Sequence, residues 1–366
     1  MDRVQLREIH ITNFRNLANA TLLPHDRFNI ISGNNGMGKT NFIESVYMLG
    51  ALRSFRTTAR TDLIAHGNLS GVARVLGIFS GIAGGLRCEI SLEDTRRSVR
   101  VDGKSMMSAN EHFHKLPMVL FHPSTMSLVQ GGPDMRRRFI DRALFQAECS
   151  YPAVSRDYAR ALSSRNMLLK KKPVDKRAVV AFDGQLAKLG KKIIGFRQKF
   201  IDGLEPFFLQ AVEKISSGLD GKIAYQPKVD GGEEELLLAL REKYSMDVAR
   251  GYTSVGPHGD ELSIEIDGRP AKKFASQGQQ RMLALALKIA ETKILSEKTG
   301  SIPLLLLDDV SSELDRERNT HLFRFLSEVG GQVFITTTHL SHIPLREKRI
   351  DFEVVDGKIQ ELDLSC

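Results

Sequence analysis

Gly33-Asn34-Asn35-Gly36-Met37-Gly38-Lys39-Thr40 satisfies G-x-x-x-x-G-K-[ST] at every fixed position. Phe28-Asn29-Ile30-Ile31 before it reads as a short buried strand. After it, Asn41 to Leu52 carries apolar residues at Phe42, Ile43, Val46, Tyr47 and Leu49, a helical spacing. Strand, glycine turn and helix N-terminus together make a nest of backbone N–H groups aimed at one point, and the helix dipole adds positive potential there. A polyphosphate is the ligand such a nest fits. Residues 33–40 are its cradle, with Lys39 reaching the β- and γ-phosphates and the Thr40 hydroxyl holding Mg²⁺.

At 366 residues the chain is longer than a typical domain, so two lobes are expected. Its 42% apolar content supports real cores. The start, Met1-Asp2-Arg3, has no apolar stretch behind it of the kind a signal peptide carries. Even the long fully apolar runs, such as Leu304 to Leu307, are short, so no membrane span is expected. Cys88, Cys149 and Cys366 have no metal-binding spacing and no disulfide framework, which fits a cytoplasmic protein in a reducing compartment. The formal charge of +8 favours an anionic partner.

Residues 4–31 read as strands interrupted by Asn13-Phe14-Arg15-Asn16, a loop within reach of the phosphates. Arg53-Ser54-Phe55-Arg56 is either a phosphate contact or a solvated pair of guanidinium groups. From Val72 to Val101, alternating runs suggest antiparallel strands closed at Asp102-Gly103, and Met118 to Phe121 is another buried strand. Between Pro133 and Gly218 helical periodicity takes over. Phe182, Leu186, Leu189, Ile193, Phe196 and Phe200 form a seam long enough for a short helix pair. Residues 151–200 hold 13 Lys and Arg against three Asp, a net +10 that exceeds the charge of the whole chain. In a nucleotide-driven protein this concentration points to DNA, with Arg156, Arg160, Lys170, Lys171, Lys172, Lys191 and Lys192 as candidate contacts. No aromatic-rich platform accompanies them, which argues for phosphate contact rather than base reading.

Ile302 to Asp309 is a buried strand that delivers two carboxylates at its C-terminal end. Asp308 suits a metal site beside the phosphate loop, and Asp309 can orient or deprotonate an attacking water. Ser276-Gln277-Gly278-Gln279-Gln280-Arg281 opens a long helix before that strand. Ser311-Ser312-Glu313-Leu314-Asp315 follows it, and Val333 to Thr337 ends at Thr338-His339.

The order of these elements resembles the ATP-binding-cassette ATPases: Walker A, signature, Walker B, D-loop and switch histidine. The resemblance implies ATP and Mg²⁺ as cofactors, Asp309 as the catalytic base, His339 as the switch and Gln130 as the Q-loop residue. It also implies that Ser276 of one copy meets the γ-phosphate held by another, in an ATP-dependent homodimer. About 270 residues separate Lys39 from Asp308, which leaves room for an inserted lobe. That insertion is too short for the long coiled coil of SMC proteins.

The chain is similar nearly end to end to the RecF family of bacterial recombination mediators. The similarity runs through Asn13 to Asn16, Asn41-Phe42-Ile43-Glu44-Ser45, Arg53 to Thr57, Arg136-Arg137-Arg138-Phe139-Ile140-Asp141, Arg165 to Lys170, Gly256-Pro257-His258 and Ser276 to Arg281. Two departures touch auxiliary contacts: His122-Pro123-Ser124-Thr125 lacks an acidic pair common after that proline, and Gly259 stands where arginine is common.

The expected fold is α/β, a P-loop ABC-type ATPase head with mixed and parallel sheet. Lobe I comprises residues 1–130 and 252–366, and an α-helical lobe II comprises residues 131–251. The resemblance implies a weak DNA-stimulated ATPase acting at single-strand/double-strand junctions during recombinational repair, replication restart and the SOS response to DNA damage. RecR and RecO are the implied partners. Because Asp309 is one methylene shorter than the usual glutamate, slow turnover is expected. A transporter ATPase subunit is the main alternative, and membrane association would favour it. A non-hydrolysing nucleotide-dependent scaffold is the second, which ATPase assays with and without DNA would separate.

Overall fold

In the sheet that carries the phosphate loop, the strand Phe28–Ser32 lies between two strands from the far end of the chain. The computed structural model describes residues 2–68, 70–81, 84–106, 108–215, 218–310, 316–345 and 347–362. They form two compact units, one of residues 1–125 with 291–366 and one of residues 126–290.

The first unit contains two six-stranded sheets. In one, the order runs Lys358–Glu361, Arg349–Val355, Phe28–Ser32, Val333–Thr337, Leu304–Asp308, Met118–Phe121. All pairings are parallel except the terminal hairpin. FNIIS, LLLLD and VFITT are buried at every position, as a parallel sheet covered on both faces requires. The other sheet is antiparallel, with Gln5–Phe14, Leu17–Leu22, Val72–Ser80, Leu86–Glu93 and Arg97–Val101 as its main strands. Its alternating burial puts one face on the core. The helix Lys39–Ala51 joins that core. Phe42, Ile43, Val46 and Leu49 pack with Ile31, Leu306 and Phe334 of the parallel sheet and with Leu6, Ile9 and Val75 of the antiparallel one. Leu52, in the left-handed region at φ 54°, ends the helix.

The second unit is helical around a small antiparallel sheet. Pro133–Ala147 and Tyr151–Lys170 precede Asp183–Ile215, a helix of 33 residues that runs on well past the seam read from Phe182 to Phe200. Tyr151–Lys170 packs along it, which extends the expected short helix pair. Gly221–Gln226 pairs antiparallel with Glu261–Ile266 across six residues. That pairing draws residues 252–290 into the helical unit, although the sequence boundary puts them in lobe I. Glu261 adds a bidentate ion pair to Arg136 at 2.7 and 2.8 Å. The signature segment at Ser276 therefore belongs to the helical compact unit, and the chain leaves that unit inside the helix Gln277–Thr299. Among the described residues no helix is long and apolar enough to cross a membrane.

Candidate nucleotide-binding site

The phosphate loop begins where Phe28–Ser32 ends and finishes at the first turn of Lys39–Ala51. Gly33, Gly36 and Gly38 all have positive φ, at 144°, 82° and 120°. At Gly33 a β-carbon would stand 2.6 Å from the Val354 carbonyl oxygen, and at Gly38 2.7 Å from Asn16 Oδ1, so both space and backbone demand glycine. Lys39 is buried, and its ammonium donates to the carbonyls of Gly33 and Asn34 at 2.8 and 3.0 Å. Burial lowers its pKa from the ordinary lysine value, while Asp309 and Asp308 act against that shift.

Opposite the loop, Leu304–Asp308 brings Asp308 to the Thr40 hydroxyl, 2.9 Å from Oδ1. The Thr336 hydroxyl also donates to Asp308 Oδ1 at 2.9 Å and accepts the Asp309 backbone N–H at 2.9 Å. Thr336 lies on Val333–Thr337, the strand between the phosphate-loop strand and the acidic strand, so one hydroxyl fixes both acidic residues. Asp309 takes φ 49°, a left-handed conformation uncommon for a residue with a side chain and frequent at functional sites. His122 follows Met118–Phe121, the neighbour of the acidic strand, and its Nε2 stands 3.5 Å from Asp308 Oδ2. Its Nδ1 accepts the Ser124 N–H at 3.1 Å, so in the neutral ring the proton is on Nε2, facing the carboxylate. The Phe55 ring packs edge-on against His122 with centroids 5.0 Å apart.

These residues suit a nucleotide with Mg²⁺. Three glycines open an N–H cradle, a buried ammonium stands at its mouth, and a hydroxyl and a carboxylate already in contact offer two oxygen donors. Mg²⁺ held mainly by phosphates and water takes about that many from a protein.

A second layer braces the loop. Asn16 donates to the carbonyls of Gly36 and Met37 at 3.2 and 3.0 Å, and its Oδ1 accepts from Asn41 at 2.7 Å. Arg56 in turn donates to Asn41 Oδ1 at 2.8 Å. Arg15 forms a bidentate pair with Glu44, a fully buried carboxylate on the phosphate-loop helix, at 2.5 and 2.9 Å. Both sequence-flagged loops therefore meet the site, with Arg15 and Arg56 engaged by side chains of the helix. Thr336 carried no sequence signal, because only the strand order puts its hydroxyl between the acids. His339 follows the same strand, and its backbone N–H donates to Thr337 Oγ1 at 3.3 Å. The D-loop, residues 311–315, lies outside the described residues.

The remaining candidates are in the second unit. Gln130 donates to Gln280 Oε1 at 2.8 Å, and so pairs with the signature helix. Ser276 caps that helix. Its Oγ accepts the Gln279 N–H at 3.2 Å while Gln279 Oε1 accepts the Ser276 N–H at 2.8 Å, a reciprocal capping box. Arg156, Arg160, Lys170, Lys171, Lys172, Lys191 and Lys192 are all exposed. Two other members of the basic run are not surface charges. Arg165 is fully buried, paired with Asp183 at 2.9 Å and Asp247 at 2.7 Å. Arg197 is buried against Asp141 and the Pro257 carbonyl. The charge count of the sequence could not show that Asp183 and Asp247 would meet Arg165, or Asp141 Arg197.

The model of the RecF/RecN/SMC N-terminal domain family matches residues 5–360. The DNA replication and repair protein RecF of Anaeromyxobacter sp. (strain Fw109-5) is 40% identical over 348 residues, which cover 92% of each chain. Among solved structures, the recombination mediator protein RecF-ATPrS of the RecFOR pathway superposes with a TM-score of 0.91 at 30% identity, covering 99% of both chains. An SMC head bound to the winged-helix domain of ScpA matches with a TM-score of 0.59 at 16% identity, covering 98% of both chains, a likeness of fold alone.

Proposed function

This chain belongs to the RecF family, and we propose that it is an ATP-dependent DNA-binding protein of recombinational repair and replication restart that works as a nucleotide-driven homodimer. The observation that carries the reading is the junction of Thr40, Asp308 and Thr336 at the mouth of the phosphate loop, with Lys39 beside it. ATP with Mg²⁺ supplies the phosphoanhydride bond and much of the neutralisation that phosphoryl transfer needs. Lys39 adds an ammonium for the phosphates, and Thr40 and Asp308 hold the metal side. Asp309 receives the proton of the attacking water, and His339 stands as the switch at the end of the neighbouring strand. Ser276 of a second copy offers its helix N-terminus to the γ-phosphate. Turnover is slow and DNA-stimulated.

The solved relative's place in the RecFOR pathway supports RecO and RecR as partners, and the exposed lysines and arginines of the helical unit support contact with single-stranded and gapped duplex DNA. The protein acts in the cytoplasm. Light-scattering mass with ATP, ADP or no nucleotide, each with and without gapped DNA, tests this. The mass should double with ATP alone among the nucleotide conditions. Asp309→Asn should keep the doubled mass while hydrolysis falls by about 10²-fold or more. A wild type that stays monomeric with ATP on DNA would sink the shared-site reading, and wild-type turnover in Asp309→Asn would remove Asp309 as the base.

A further inference from the structure

The basic run of the helical unit ends beside a segment some eighty residues away in sequence that carries an exposed tyrosine, Tyr252. Tyr151–Lys170 finishes at Lys170, followed by Lys171 and Lys172, all three exposed. The segment around Tyr252 is fastened to that end. Thr253 donates to Asn166 Oδ1 through its backbone N–H at 2.7 Å and its hydroxyl at 2.8 Å. A β-carbon on Gly251 would stand 3.6 Å from Lys170 Cγ. Tyr252, between these two anchors, is 48% exposed, and Met167, beside Asn166 on the helix, is 59% exposed. The frame beneath is rigid, because Arg165 is buried against Asp247, and Asp247 also accepts from the Ser254 N–H and hydroxyl. Lys176 stands 5.5 Å from the Tyr244 ring centroid, so a second aromatic in the same region already faces a cation.

We propose that this end of the helical unit binds single-stranded nucleic acid, with Tyr252 as the stacking platform for an unpaired base and Lys170, Lys171 and Lys172 on the flanking phosphates. The proposal rests on the reading that the basic face meets DNA, and it assigns that face a preference for the single strand. Every base has a π-face, and an exposed tyrosine on an anchored backbone accepts any of them at a low ordering cost, with only two χ angles to fix. In a duplex those faces are already stacked, so only an unpaired base can use the ring. Lysines are mobile point charges that track a flexible backbone without demanding a fixed geometry.

A folded protein partner would bury a contiguous apolar patch. Here the large exposed apolar groups are two side chains, Tyr252 and Met167, among exposed lysines. Two nearby acids are exposed, Asp175, which accepts the N–H groups of Arg177 and Ala178, and Glu242, against the exposed Lys170, Lys171, Lys172 and Lys176.

Fluorescence anisotropy of the full chain with a labelled single strand and its matched duplex tests the proposal. Tyr252→Ala should weaken the single strand about 10-fold, leave the duplex within twofold and keep the salt slope. Tyr252→Phe should bind as wild type. Photo-crosslinking of a strand carrying 5-iododeoxyuridine should attach at Tyr252. Unchanged single-strand affinity in Tyr252→Ala, or an equal loss on duplex, would overturn the proposal. If the Lys170/Lys171/Lys172→Ala variant loses DNA while Tyr252→Ala does not, the stacking assignment falls and the DNA-binding face stands. If both variants bind DNA as wild type, the face itself is reassigned to a protein partner.

Discussion

Lys39 of the first unit and Arg165 of the second are both cations withdrawn from water, and they are balanced by different means. Around Arg165 the chain places two full carboxylates, Asp183 and Asp247, both buried. Around Lys39 it places two backbone carbonyls within hydrogen-bonding distance and leaves Asp308 and Asp309 to act from further away. Burial works against charge at both sites: it lowers the Lys39 pKa, and it raises that of Asp183 despite the guanidinium beside it. A cation set between two carboxylates has little attraction left for an outside anion. One held by carbonyl dipoles keeps most of it. The distinction between structure and binding therefore rests on what neutralises a buried charge, and less on how deeply it is buried.

The largest break in that comparison comes from Arg165→Ala. It strands two buried carboxylates and should cost about 3–5 kcal/mol, read as a lowered urea midpoint of the full chain. A loss under about 1 kcal/mol would mean that water or relaxation reaches the pair and that the contrast with Lys39 is overstated. Lys39→Ala should do the reverse. ATP affinity by calorimetry should fall roughly 100-fold, given about 1.5–3 kcal/mol for each charge-assisted bond to phosphate, while the urea midpoint barely moves. Undiminished ATP binding would contradict the phosphate-loop assignment. Ser276→Arg should cost stability only the helix cap it removes, about 1 kcal/mol. Its effect on assembly should be complete, with ATP affinity of the monomer kept and the ATP-dependent doubling of mass lost. A variant that still doubles would show that Ser276 serves only its own helix.

Much of the first unit was legible in the sequence because its signals are local. The strand, glycine turn and helix around Lys39 follow one another directly, and the run from Leu304 to Asp308 announces a buried strand with acids at its end. What pairs across the chain was not legible. Thr336 reads as an ordinary strand residue until Val333–Thr337 is known to separate the phosphate-loop strand from the acidic one. His122 reads as a departure in a loop until Phe121 is set beside Leu307. In the helical unit the same limit made the charge run look more uniform than it is, since Arg165 and Arg197 belong to the interior. It also hid the aromatic beside Lys170, because Tyr252 comes from a segment that no periodicity links to that helix.

The position of Phe28–Ser32 in its sheet has a consequence for how the protein is made. Both its neighbours are late: Val333 and Arg349 each stand opposite Phe28. Even the glycine that opens the phosphate loop is shaped by Val354. At about 5–20 residues per second, the ribosome takes roughly 15–60 s to travel from the phosphate loop to its first neighbouring strand. Through that interval FNIIS is an apolar strand with two open edges, a template for wrong pairing. The order of synthesis thus makes the nucleotide site one of the last parts of its sheet to close. A nascent chain cannot draw on ATP binding for stability until nearly all of its residues have emerged.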